Sequence, residues 1–298
     1  MKILLILQSF FVNLIKTKIS AVRILLQSNF FSFVSSDLKS KPLLILGNGP
    51  SLNDTLSNNC LETLNHFDMM AVNNAANHVK YVELKPRYYL LNADTYFLPD
   101  KSLNDLYIRM NRELFESLKV KTTWKITLLV PFRAKKSSAL RDLIQSNSYI
   151  DLAFFNKTPV EGFHFWSHRW FNKGLGMPRP HNVLIPGIMM GIRLGYKIIS
   201  IVGADHSWLA EISVNKANEV FVHQKHFYDE NESKPEKMQD YIHRPRRLHE
   251  IIHKFYLSFK GYWEIKSFAE KKGVKIYNSS EISMIDAFER VEIESIKK

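Results

Sequence analysis

The chain has 298 residues, 45% hydrophobic and 23% charged, which excludes a disordered, collagenous or disulfide-scaffold protein and allows one large domain or two small ones. Lysines and arginines number 41 against 29 acids, a formal net charge of +12. Such a balance favours anionic partners such as nucleotides, lipid headgroups or nucleic acid, and equally serves a merely soluble basic surface.

Residues 1–40 stand apart from the rest. Up to Val34 they carry Lys2, Lys16, Lys18 and Arg23 and no acid. The apolar stretch Ile3–Ile15 is interrupted by Gln8, Ser9 and Asn13, short of the ~20 apolar residues of a spanning helix. Apolar residues at Ile3, Leu7, Phe10, Phe11 and Leu14, then Ala21, Val22 and Leu25, predict an amphipathic helix lying on an anionic membrane surface. A helix packed on the domain itself and a signal peptide are the alternatives; no small-x-small cleavage site follows cleanly. A polar linker, Ser35–Lys41, leads into residues 41–298, the expected nucleotide-binding domain. Cys60 is the only cysteine, so no disulfide forms within the chain and a reducing compartment fits.

The body alternates short apolar runs with helical stretches. Leu43–Leu46 reads as a strand buried on both faces. Further strands are predicted at Asp68–Val72, Arg87–Leu91, Ile126–Val130, Tyr149–Phe155, Ile198–Val202 and Val274–Tyr277. A helix is predicted from Pro186 to Gly195, a long one from about Pro245 to Lys272, and a short one after Ser283. This alternation implies an α/β fold, a Rossmann-like, mostly parallel sheet with helices on both faces. The polar stretch Glu211–Asp240 lacks periodicity and reads as a long loop, part of a lid over about 206–243.

Gly47-Asn48-Gly49-Pro50-Ser51-Leu52 follows the first strand. Glycines allow a sharp turn, Pro50 and Ser51 open a helix, and free N–H groups there would attract a phosphate. The third glycine of the dinucleotide fingerprint is absent, and so is the Gly-Lys-Ser/Thr of a P-loop. Asn73 after the second strand, and Asn92 and Asp94 after the third, fall where an amide can read a base or ribose edge, or merely close its own turn.

These residues together resemble the bacterial sialyltransferases of glycosyltransferase family 42. The resemblance runs from Leu43 through Gly47–Leu52, Asn73, Asn92, Pro186-Gly187 and Leu194–Lys197 to Gly203-Ala204-Asp205, with an echo at Val274–Asn278. The same start and the same glycine–aspartate turn occur in MptE-like 6-hydroxymethylpterin diphosphokinases. The family's Arg and Thr-Ser before the helix are not matched at Asn182–Pro186, and its tyrosine pair is not evident after Asp205, where His206-Ser207-Trp208 stands. The sequence thus resembles a relative with a different donor or acceptor. The resemblance implies a GT-A-like variant of the fold and an inverting transfer from a nucleotide-activated, CMP-linked sugar to a glycan or lipid-linked glycan. It also implies a histidine base, no bound metal and no separate cofactor. Such an enzyme, building a surface glycan, would work in the cytoplasm, peripheral on the inner membrane.

Eleven histidines are present. His226, flanked by aromatic residues at the lid edge, is the first candidate base, followed by His243 and His253. Arg244 and Arg246 offer planar phosphate clamps, and Tyr228 and Tyr241 offer hydroxyl donors. A solvated helix start explains the arginines equally well. Gly187, Asp205, Asn278 and Ser283 complete the expected donor pocket; Ser283 is equally a plain N-cap. His164 and His168 have the spacing of a zinc pair but no further clustered ligand. The surrounding rings suit stacking on a sugar or base as well as packing. A Mg²⁺-dependent diphosphokinase would rely on Asp94 and Asp205. A nucleic-acid binder is compatible with the charge, but no helix-turn-helix, RNA-recognition or zinc-finger pattern is present.

Overall fold

Every side chain of Leu43–Leu46 is buried, because this strand is central to a parallel sheet flanked on both faces. The computed structural model describes residues 2–30, 39–59, 61–223, 235–239 and 244–296. The main sheet holds β1 (Leu43–Leu46), β2 (Asp68–Val72), β3 (Tyr88–Leu90), β4 (Ile126–Pro131), β5 (Ile150–Phe155), β6 (Ile198–Val202), β10 (Lys275–Asn278) and β11 (Glu289–Arg290). Their spatial order is β11-β10-β6-β1-β2-β3-β4-β5, and every pairing is parallel. From β1 the chain steps outward through β2 to β5, then returns to place β6 on the other side of β1. The strand order therefore reverses between β1 and β6, the point at which open parallel sheets bind ligands.

The helices are α1 (Lys2–Gln27), α2 (Ser51–Asn58), α3 (Leu61–Leu64), α4 (Lys80–Leu84), α5 (Asp105–Lys121), α6 (Ser138–Ser146), α7 (His164–Lys173), α8 (Leu184–Arg193) and α9 (Leu248–Lys271). Strand side chains alternate between two cores. Leu43, Ile45, Met70, Val72, Leu90 and Leu129 face α7, α8 and α9. Leu44, Leu46, Met69, Ala71, Leu128 and Val130 face α2, α5 and α6. The aromatic segment of α7 is mostly packing: Phe171 and His168 are buried against Phe268, while Phe165 remains exposed.

Helix α1 is one unbroken rod of 26 residues, about 39 Å at 1.5 Å per residue. By length and composition it is long and apolar enough to cross a membrane, so the polar interruptions do not shorten it as expected. Its first half is apolar and exposed all round rather than along one stripe. Its last third docks on the body. Ser20 and Ile24 are buried, Arg23 pairs with Glu161 at 3.2 Å, and the Thr17 and Ser20 hydroxyls accept the N–H groups of Phe163 and Glu161.

Two sequence expectations are corrected. The stretch expected as a loop carries, in its described part, an antiparallel sheet of β7 (Ile212–Val214), β8 (Val220–Val222) and β9 (Glu236–Lys237). Its strands are two or three residues long, too short to show a period. The Asn215 side chain closes the turn by accepting from the Ala217 and Glu219 N–H groups. Among the described residues no α-helix follows Ser283: Ile285, Ala287 and Phe288 enter the core on irregular chain, β11 pairs with β10, and a single 3-10 turn, Ile293–Ser295, follows.

Candidate functional site

A cleft of about 480 Å³ opens above the C-terminal ends of β1, β2 and β6, at the reversal of strand order. The loops 47–50, 73–74, 93–96, 181–183 and 203–208 wall it, α5 adds Tyr107, Met110 and Asn111, and α9 closes the side with Lys254, Phe255 and Ser258.

Backbone hydrogen bonds hold the loop after β1 against the loop after β6. Gly47 and Gly49 donate their N–H groups to Val202 O and Gly203 O, both at 2.8 Å. A Cβ on Gly47 would strike the Val202 and Gly203 carbonyls, so only glycine permits this approach.

The free helix start expected to hold phosphate is already occupied by the protein's own carboxylate. Asp205 accepts the Ser51 hydroxyl on one oxygen and the Ser51 N–H, at 3.1 Å, on the other. The next two N–H groups, of Leu52 and Asn53, bond back to Gly49 O and Pro50 O. Burial raises the Asp205 carboxyl above the ordinary range against the lowering effect of the Ser51 hydrogen bonds. Asp205 therefore caps α2 and lines the cleft at its base.

The polar character of the cleft comes from amides. Buried side-chain atoms Asn48 Oδ1, Asn73 Oδ1 and Asn182 Nδ2 have no hydrogen-bond partner. Asn73 is in the left-handed region, with φ 49°, and its carbonyl accepts the Tyr89 hydroxyl. Asn182 Oδ1 accepts the Leu184 and Ile185 N–H groups at 2.9 and 3.2 Å, so it starts α8 two residues before the predicted Pro186. It also accepts the Tyr262 hydroxyl at 3.0 Å. The Tyr262 oxygen is then left to accept from His206 Nε2, 2.6 Å away. This chain ties the β6 loop, α9 and the start of α8 together and leaves the Asn182 amide nitrogen unpartnered.

His206, with φ 52°, stacks on Trp208 at 4.0 Å and is largely buried; burial pulls its imidazole down to about 3. Its folded pKa lies below the unfolded value near 6.5, so the stability it contributes is complete above pH 6.5 and is lost as pH falls toward 3. The slope is roughly 1.4 kcal/mol per pH unit. We expect the urea midpoint to fall between pH 6.5 and 4. His206→Asn, which suits the left-handed backbone, should lower the midpoint at pH 7 and flatten that fall. Parallel falls in both proteins would contradict the assignment.

Among the described residues three histidines line the cleft: His181, His206 and His223. His181 Nε2 is buried and unpartnered, and burial with the nearby Lys254, Arg179 and His253 charges lowers its imidazole to about 4. His223 Nδ1 stands 3.6 Å from Glu211. Lys254 brings an ammonium to the wall; burial and then Arg246 lower its pKa.

Of the residues the sequence singled out, Gly47, Asn48, Gly49, Pro50, Asn73 and Asp205 line the cleft. Others do not. Asn92 donates to Pro180 O at 3.1 Å beneath it, and Asp94 pairs with Lys157 at 2.7 Å beside it. Gly187 packs in α8 on Ile45 and Met70. Asn278 and Ser283 bind each other at 3.0 Å, and Ser283 donates to Ala204 O at 2.6 Å, bracing the β6 loop from behind. Ser283 is therefore not an N-cap. Arg244 holds Glu250 at 3.2 Å at the start of α9, and Arg246 borders a separate hollow. His253 is exposed and faces the groove between α1 and α9. His226, His243, Tyr228 and Tyr241 lie outside the described residues. Among the described residues no group of three His, Cys, Asp or Glu side chains is arranged to hold a metal ion.

Sequence reasoning missed His181, Asn182, His223 and Lys254 as site residues. Two signals were available. His181-Asn182 directly precedes a helix, and His206 directly follows the glycine–aspartate turn.

No protein-family model matches the chain, and no curated protein matches it. Among solved structures the chain is similar to the MAf glycosyltransferase from Magnetospirillum magneticum AMB-1, at 12% identity and a TM-score of 0.49. The match covers 89% of this chain and 36% of that one, so the chain spans about a third of that protein's length.

Proposed function

We propose that the protein is an inverting glycosyltransferase that binds a nucleotide-activated sugar, CMP-linked, in the switch-point cleft. The observation that carries this reading is the convergence on one cleft of three side chains, Asn48, Asn73 and Asn182, each with one buried amide atom that has no hydrogen-bond partner. A buried polar group without a partner costs about 1–3 kcal/mol, which a ligand with matching donors and acceptors recovers. A nucleoside offers both along its base and ribose edges. The family 42 resemblance of Gly47–Leu52 and Asn73 supports cytidine among the bases.

The chemistry uses groups on the cleft wall. The acceptor hydroxyl gives its proton to His181 Nε2 as its oxygen bonds to the anomeric carbon. The bond from that carbon to the phosphate oxygen breaks with its electron pair, and CMP leaves with its new charge facing Lys254. An ammonium on a partly buried wall stabilises such charge without a metal. Helix α1, apolar in its exposed half and docked beyond Thr17, supports action on a lipid-linked glycan at a membrane surface, the cytoplasmic face of the inner membrane.

The test is turnover of CMP-, UDP- and GDP-linked sugars by the full chain in detergent, first in EDTA and then in Mg²⁺. Release of CMP from a CMP-linked sugar in EDTA is the expected result. Pyrophosphate transfer from ATP, and only in Mg²⁺, would replace this reading with the diphosphokinase. That reaction would have to free Asp94 from Lys157 and Asp205 from Ser51.

A further inference from the structure

Beyond the wall formed by His181 lies a second recess, of about 290 Å³, above the ends of β4 and β5. His181 lines both cavities. Among the described residues the charged side chains on the recess are Arg133, Lys157 and Arg179, and none of its lining residues is acidic. Asp94 holds Lys157 at 2.7 Å and Glu161 holds Arg179 at 2.7 Å, which fixes both cations in place. Arg133 is exposed and makes no ion pair with the described residues. Gln27, the last residue of α1, forms part of the rim, so the recess opens beside the docked end of that helix.

We propose that this recess is the acceptor subsite and that it takes an acceptor bearing an anion, a phosphate or a carboxylate. The proposal rests on reading the larger cleft as the donor site. A transferase must bring two substrates to one carbon, and two cavities sharing a single partnerless imidazole meet that demand. The sign of the recess selects the acceptor class. Two held cations and one free guanidinium form a fork-bearing surface matched to phosphate or carboxylate oxygens. An uncharged sugar would leave the Arg133 guanidinium unanswered beside two cations whose own carboxylates lie outside the cavity lining.

The test uses the full chain in detergent and three probes: N-acetylglucosamine 1-phosphate, glucuronic acid and uncharged N-acetylglucosamine. Binding of each is measured by calorimetry alongside CMP, for the wild type, Arg133→Ala and Arg133→Glu. The sugar phosphate is expected to bind at least about tenfold more tightly than the neutral sugar and to lose about tenfold in Arg133→Glu. CMP affinity should stay unchanged in both variants. Glucuronic acid binding more tightly than the sugar phosphate would assign a carboxylate-bearing acceptor; a preference for the phosphate would assign a phosphate-bearing one, such as a lipid-linked sugar phosphate. Equal affinity in wild type and Arg133→Glu, or displacement of the sugar phosphate by CMP, would overturn the proposal. CMP binding without sugar-phosphate binding sinks the acceptor site alone. Arg133-dependent sugar-phosphate binding without CMP binding sinks the donor reading and leaves the anion site standing.

Discussion

Replacing His181 by asparagine should lower kcat by roughly 10²- to 10⁴-fold, the usual worth of a general base, and leave CMP affinity within about threefold. Asparagine fills similar space and keeps a polar group toward the cleft, but it cannot accept a proton. His181 sits in Pro178-Arg179-Pro180-His181-Asn182, where two prolines and the Asn182 cap fix its backbone. Its Nε2 is buried without a partner, so nothing in the fold consumes its lone pair. Burial and the flanking Lys254, Arg179 and His253 charges hold the imidazole at about 4, while Glu161 opposes them. The neutral, basic form therefore persists well below the usual histidine range. The kcat/KM profile should stay flat from pH 7 to pH 5 and decline only as pH approaches 4. A limb near pH 6.5, or full activity in His181→Asn with loss in His223→Asn, would move the base to another histidine.

The second large effect lies in the backbone. Gly47→Ala should destabilise the protein by about 3 kcal/mol, lowering the melting temperature by roughly 6–12 °C. The new methyl would meet the Val202 carbonyl at 2.8 Å and crowd Gly203, and neither can rotate away. Relief requires parting β1 from β6, which strains the bonds from Gly47 to Val202 and from Gly49 to Gly203. The same movement opens the cleft floor, so CMP binding should fall with stability. Gly273→Ala is the control. Gly273 is at φ +62° but has open space around its Cβ position, so only the left-handed backbone is penalised, at about 1 kcal/mol. Equal costs at the two glycines would show that the crossing at Gly47 tolerates a side chain.

The strands were readable because a parallel sheet buries both faces. Leu43–Leu46 is a continuous apolar run for that reason, and Ile198–Val202 is broken only by the buried Ser200. Their order was not readable. Nothing in the run Ile198–Val202 says that it lies beside β1, and this adjacency creates the cleft. Asp205 illustrates the consequence. Sequence placed it among donor-binding residues, and it lines the cleft, but nothing local shows that contact with Ser51, 154 positions away, also makes it the cap of α2. Asn278 was marked for its place after a strand, yet its amide is spent on Ser283 and Ile285. His181 went unmarked because no local pattern separates a histidine aimed into a cleft from ten others. The small antiparallel sheet β7–β9 escaped because strands of two or three residues show no period.

The most direct measurement is calorimetric titration of CMP into the full chain, in detergent with EDTA, beside Asn73→Gly. Glycine keeps the left-handed backbone at position 73 and removes the unpartnered amide. Saturable one-to-one binding, weakened about tenfold in Asn73→Gly, is the expected result. Absence of binding, or binding indifferent to Asn73, would contradict a nucleotide-sugar site at the β1–β6 switch point.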